Sequence, residues 1–103
     1  MNYKVIVSEQ AERDLESIYS YIYHELKSKL SAERVALRLH GAMIGLSMMP
    51  KRYRIYPIEP WLSREVRSVS VGNYVMFYLV KEDESEVWIT RIVFGKRNMK
   101  KAL

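Results

Sequence analysis

Apolar residues in the first half of the chain return every three or four positions. Ala11, Leu15, Ile18, Ile22 and Leu26 form one series, with Glu12, Arg13 and Glu16 off it. Val35, Leu39, Ala42, Met43 and Leu46 form a second. A period of 3.6 residues stacks each series into one stripe, so the spacing predicts two amphipathic helices. Ahead of them the β-branched run at residues 3–7, Tyr-Lys-Val-Ile-Val, predicts a short strand. Ser8 is placed to cap the first helix through its hydroxyl, and acidic side chains crowd the first turns, where the helix dipole favours them. The pattern breaks at residues 27–31, with Ser31 the expected cap of the second helix and Pro50 its expected stop. Two helices joined by so few residues fold back as an antiparallel hairpin.

The second half switches to a period of two. Residues 64–71 alternate, with Val69 and Val71 on the face of Arg67, and Ser68 and Ser70 on the other. Gly72-Asn73 predicts a two-residue hairpin turn into a strand at 74–80. Residues 81–86 predict a second turn, and 87–94 a last strand ended by Gly95. Between helices and strands, residues 50–63 hold all three prolines and predict an ordered loop in which Ile55, Ile58, Trp61 and Leu62 need burial. The expected fold class is α+β: an N-terminal strand, an antiparallel helical hairpin, then a three-strand antiparallel meander. A single domain over residues 1–103 is expected, with the first strand joining one small sheet.

The strand at 74–80 is apolar on both faces, as a strand covered on both sides would be. Two helices cover only one. Val75, Phe77 and Leu79 are expected to face them, leaving Tyr74, Met76, Tyr78 and Val80 as a shallow amphipathic surface for a partner. The competing reading has the loop at 50–63, with Trp61, fold over that surface and seal it.

Charge sharpens the picture. The net +5 lies wholly in residues 51–103, which hold 11 Lys/Arg against 6 Asp/Glu, whereas residues 1–50 balance at 6 of each. A basic half suits an acidic partner. Arg64 and Arg67 open one strand, while Lys96, Arg97, Lys100 and Lys101 come after the last. The two groups are expected to converge at one end of the sheet, where guanidinium forks suit phosphates or carboxylates, with Lys51, Arg52 and Arg54 adding to them.

Other chemistries find little support. The chain has no cysteine, which excludes disulfides and thiolate metal sites and agrees with a reducing compartment. His24 and His40 have no thiol or carboxylate at ligand spacing, so neither metal nor cofactor is expected. No nucleophile-elbow, phosphate-loop or dinucleotide motif is present, and Ser68 and Ser70 have no base at a telling spacing. No apolar run reaches the ~20 residues of a membrane span. The first residues lack a signal-peptide layout, so a cytoplasmic protein with no membrane contact is expected.

Taken in order, these segments resemble the RelE/ParE superfamily of toxins from type II toxin–antitoxin modules. The resemblance runs the whole length: residues 3–22, the second helix ended by proline, residues 64–80, and the closing Trp-Ile-Thr-Arg-Ile-Val-Phe-Gly-Lys-Arg-Asn at 88–98. It implies the fold read above. It also implies a cognate antitoxin whose acidic, partly disordered segment wraps the toxin and folds on binding, with operator DNA reached only through the antitoxin complex.

The superfamily divides by target. RelE-like members cleave mRNA on the ribosome with basic residues and often a tyrosine, whereas ParE-like members poison DNA gyrase. At positions matching the cutting residues this chain has Val75, Ser68, Val66 and Leu103, and only Arg97 keeps its charge. Each absent proton-transfer group removes about 10²–10⁴ in rate. The resemblance therefore implies a growth-inhibiting, plasmid-stabilising toxin that binds its target, with DNA gyrase expected. Arg97, Lys96, Arg64 and Arg67 are the expected target or phosphate contacts, and Tyr74, Met76 and Tyr78 the expected antitoxin surface. The alternative is a metal-independent mRNA interferase with Arg97, Arg67, Tyr74 and Tyr78 as candidate catalytic residues. A third is an inactive member that only binds antitoxin.

Overall fold

A computed structural model describes residues 2–95. Strand β1 (Lys4–Val7) leads into helix α1 (Glu9–Ser20), which runs on through a π-helical turn at Tyr21–Glu25. Helix α2 (Lys29–Gly45) returns along it, and a 3₁₀ turn at Pro50–Arg52 opens the long loop. Strands β2 (Arg67–Val71), β3 (Tyr74–Lys81) and β4 (Glu86–Phe94) follow, with a 3₁₀ turn at Glu82–Glu84 between the last two. The strands form one sheet in the order β1-β4-β3-β2, with β1 parallel to β4 and the other pairs antiparallel. The expected α+β architecture is the observed one. Among the described residues no helix is long and apolar enough to cross a membrane.

Three local details differ from the sequence pattern. Ser28, not Ser31, caps α2: its Oγ accepts the Ser31 N–H at 3.1 Å. The reversal before it is made at Lys27, whose φ of 52° gives the chain its left-handed step. Leu26 leaves the α1 stripe and is exposed, because the π turn, closed by the Leu26 N–H on the Tyr21 carbonyl, inserts an extra residue per turn and rotates the positions after it. Helix α2 ends at Gly45, ahead of Pro50, in a turn where Leu46 and Ser47 donate back three residues.

The sheet turns on one irregularity. From Tyr74 to Phe77 strand β3 pairs with residues 94 down to 91 of β4, but Tyr78 pairs with Ile89, so Thr90 is an extra residue. This bulge switches the parity of β4: Val87 and Ile89 face the helices on odd positions, and Ile92 does so on an even one. It also leaves backbone groups to be satisfied. The Ser8 hydroxyl donates to the Thr90 carbonyl at 3.2 Å while accepting the Ala11 N–H as the α1 cap. The Thr90 hydroxyl donates to the Phe77 carbonyl at 3.2 Å. Beyond Ile89, where β1 stops pairing, the Ile92 N–H donates to Asp14 Oδ2 at 2.9 Å. Asp14 also takes the Arg91 Nε at 2.9 Å and Nη2 at 3.2 Å, and Gln10 Nε2 at 3.1 Å. One carboxylate thus pins α1 to the bulge.

The core lies between the sheet and the helices. Ala11 of α1, Leu39 and Met43 of α2, and Leu46 just after it, meet Met76, Tyr78, Val87, Ile89 and Ile92 of the sheet. Each of the buried Leu, Met, Val and Ile side chains contributes about 1.5–3 kcal/mol by leaving water. The sequence pattern puts Met76 and Tyr78 on an open face and Val75, Phe77 and Leu79 against the helices. The structure reverses that assignment: Met76 and Tyr78 are fully buried under the hairpin, and Val75, Phe77 and Leu79 lie on the other side. Tyr78 tolerates burial because its hydroxyl donates to the Pro50 carbonyl at 2.6 Å.

This packing has two measurable consequences. Asp14→Ala leaves the buried Ile92 amide without its acceptor and removes the Asp14–Arg91 ion pair, and should lower unfolding stability by about 2–4 kcal/mol in urea titration; an unchanged midpoint would show that the pin is dispensable. Burial pushes the Tyr78 hydroxyl up to about 12, against the pull of nearby Arg67. Below an unfolded tyrosine pKa of about 10 this site costs no stability. As pH rises from there toward 12, the unfolded state loses its proton first and stability falls. Ultraviolet titration should show Tyr78 resisting ionisation until the fold gives way, and Tyr78→Phe should flatten that slope.

Candidate functional site

The face of the sheet turned away from the helices is covered by the chain itself. Trp61, from the loop, lies flat on Phe77, with ring centroids 5.8 Å apart and planes 16° apart. Tyr56 meets both rings edge-on at 5.3 and 5.4 Å, and Val66, Val75, Leu79 and Val93 fill in around them. The lid is a compact run of turns: Leu62, Arg64 and Val66 donate backbone bonds to Ile58, Pro60 and Trp61. Glu59 accepts both the N–H and the hydroxyl of Ser63, which holds its carboxyl below the usual range. Of the loop residues expected to need burial, Trp61 is buried, whereas Ile58 and Leu62 are exposed. The loop seals a sheet face, as the competing reading had it, but the face of Phe77.

This placement decides what the candidate residues can do. Tyr78 cannot work as a proton shuttle near neutrality, since its hydroxyl is buried, bonded to Pro50 and raised to about 12. Arg67 faces Tyr78 across the strands, and its Nη1 donates to the carbonyls of Tyr53 and Lys51 at 2.7 and 3.4 Å. Arg64 is exposed beside a cleft of about 430 Å³ that also gathers Lys51, Arg67 and Lys81. Glu65, Glu82, Asp83 and Glu84 line the same cleft, and Lys51 pairs with Glu82, so its charge is largely balanced.

The strand directions separate the points from which the two expected basic groups start. Strands β2 and β4 both run antiparallel to β3 and hence parallel to each other. The start of β2, with Arg67, therefore lies at the opposite end of the sheet from the end of β4, where Gly95 donates to the Asn73 carbonyl. Lys96 and Arg97 lie outside the described residues.

The open apolar surface is elsewhere. At the end of the sheet away from Arg67, a groove of about 700 Å³ runs between the tip of the hairpin and the strand ends. Ile18, Tyr21, Ile22 and Leu26 form one wall, Val35 of α2 a second, and Tyr74 and Phe94 the floor. The two floor rings meet edge-on at 5.4 Å, and burial raises the Tyr74 hydroxyl above its ordinary value. Ile18 and Val35 also line a second groove of about 610 Å³ between the helices, so the two are continuous. Of the three residues expected to hold a partner, Tyr74 alone lines this surface; Met76 and Tyr78 do not. The missed Tyr21 carried one signal: it is a large apolar group beside Ile22 that the α1 stripe does not hold. Among the described residues no cluster of His, Asp and Glu is arranged for a metal ion.

Comparison with known proteins agrees with this geometry. No curated protein matches the chain in sequence. A chain of the chromosomal ParDE TA system from P. aeruginosa superposes with a TM-score of 0.74 at 17% identity, over 91% of this chain and 97% of that one. A chain of the toxin–antitoxin complex RelBE2 from Mycobacterium tuberculosis gives 0.67 at 20% identity, over 91% and 92%. A mutant of the E. coli toxin RelE in the free state gives 0.65 at 13%, over 99% and 90%. The family whose sequence profile matches, over residues 5–99, is the ParE toxin of the type II toxin–antitoxin system parDE, and the chain belongs to that family.

Proposed function

We propose that this toxin inhibits growth by gripping a cellular target, DNA gyrase, and that a cognate antitoxin neutralises it in the cytoplasm. The observation that carries the reading is Trp61 stacked on Phe77. An RNA-cleaving member of the superfamily needs cations and proton carriers on an open sheet face. Here that face holds Val75, Phe77 and Leu79 beneath an aromatic lid, and both arginines on the strands are engaged, Arg67 by carbonyls and Arg91 by Asp14. The target contacts are assigned to Arg64, exposed at one end of the sheet, and to Lys96 and Arg97 after β4.

The antitoxin's place is the apolar groove. A groove with Ile18, Ile22, Leu26 and Val35 on its walls and aromatic rings on its floor suits one face of an amphipathic helix. Acidic residues on that helix's other positions complement a toxin whose positive charge lies in its second half.

Two experiments test these assignments. Purified toxin should inhibit gyrase supercoiling and leave mRNA intact in a translating extract, and Arg97→Ala should weaken growth inhibition while the protein still melts normally. Robust cleavage of translated mRNA would favour the interferase reading instead, and no effect on growth without antitoxin would favour the inactive one. Tyr21 and Leu26 are exposed, so Tyr21→Asp and Leu26→Asp should fold normally yet loosen the antitoxin about tenfold or more in calorimetry. Unchanged affinity in both would place the antitoxin elsewhere.

A further inference from the structure

Helix α2 carries a second apolar line that the core does not use. Leu39, Met43 and, just beyond the helix, Leu46 point into the protein, and Leu30, Leu37 and Ile44 occupy the opposite side at intervals of seven residues. They are 59%, 71% and 56% exposed. Single exposed leucines need no explanation, but three aligned on one outer face of a helix do. Between Leu37 and Ile44 sits Gly41. A glycine inside a helix costs about 1 kcal/mol relative to alanine, and nothing inside the protein requires it. Among the described residues, no atom other than the helix's own backbone comes within 4 Å of where its Cβ would stand.

A bare backbone flanked by two large apolar side chains is what a close helix–helix contact uses. We propose that α2 is the seam of a parallel homodimer of this chain. In heptad terms Leu30, Leu37 and Ile44 fall at d, and Arg34 and Gly41 at a. The edges of the line then decide both partner and orientation. Glu33 and His40 lie along one edge and Arg38 along the other. Two copies side by side and parallel bring Glu33 of each against Arg38 of the other, because such flanking positions meet five residues apart. Arg34, within the seam, reaches the same Glu33. An antiparallel pair centred on Leu37 would set the Arg38 edge against itself and Glu33 near His40. The parallel pair is therefore the one that sets arginine against glutamate. In the monomer the Arg38 guanidinium rests against Gly72, so it swings outward on pairing.

The contact is small. Helix α2 is about 25 Å long, and three apolar layers give a dimer that forms and falls apart with concentration rather than a permanent one. The proposal does not depend on the toxin reading, because it rests on α2 alone.

Sedimentation equilibrium of the full chain in low salt, at rising concentration up to about 1 mM, should show the mass climbing from that of the monomer toward twice that value. Leu37→Glu should hold it at the monomer with unchanged circular dichroism and melting temperature. Glu33→Arg and Arg38→Glu should each be monomeric alone, and an equimolar mixture should dimerise, since each copy then supplies the charge the other lacks. A wild-type chain that stays monomeric throughout, or a Leu37→Glu variant that dimerises as well as wild type, overturns the seam. A wild-type dimer whose two charge variants fail to pair when mixed overturns the parallel arrangement.

Discussion

Much of this molecule depends on how helix α1 satisfies a bulge in strand β4. Thr90 is one residue too many for its partner strand, and the mismatch exposes backbone groups that a buried sheet cannot leave unmade. Ser8 and Asp14 supply the missing partners, and Arg91 adds charge to the second of these contacts. The bulge could not persist without them, and without the bulge Ile92 would fall on the same side as Trp88. The side chains that cap and anchor α1 therefore also fix which residues of β4 face the core.

That choice sets the two sides of the sheet. On one, the hairpin buries Met76 and Tyr78, and the Tyr78 hydroxyl ties β3 to Pro50 at the start of the loop. On the other, the same loop lays Trp61 over Phe77 and commits the sheet's second face to packing. The Trp61 indole N–H finds no acceptor among the described residues, a cost that the aromatic contacts around the ring must outweigh. With both faces occupied, the open surfaces among the described residues include the groove at the hairpin tip and the outer line of α2.

Much of this is legible in the sequence, and the failures have definite causes. Ser8 can be recognised as a cap because a hydroxyl before a helical stripe has few other roles; Asp14 cannot, because its partner lies 78 positions away. The run at 74–80 is apolar on both faces, so alternation does not say which face meets the helices, and the expected face is the wrong one. Leu26 fits a 3.6-residue period that the π turn breaks. The basic groups at the two strand ends are expected to converge, yet strand direction alone separates Arg67 from Gly95. Trp61 advertises its need for burial, but not the ring that receives it.

The closed sheet face is the claim on which the binding role stands, and Trp61 reports on it. Trp88 is the second tryptophan, so Trp88→Phe leaves Trp61 as the sole tryptophan, excited selectively at wavelengths tyrosine does not absorb. The account predicts blue-shifted emission that acrylamide quenches poorly, in the free toxin and in its antitoxin complex alike. Red-shifted, readily quenched emission from the free toxin would mean that the lid stands open and that the face beneath Trp61 is available for chemistry after all.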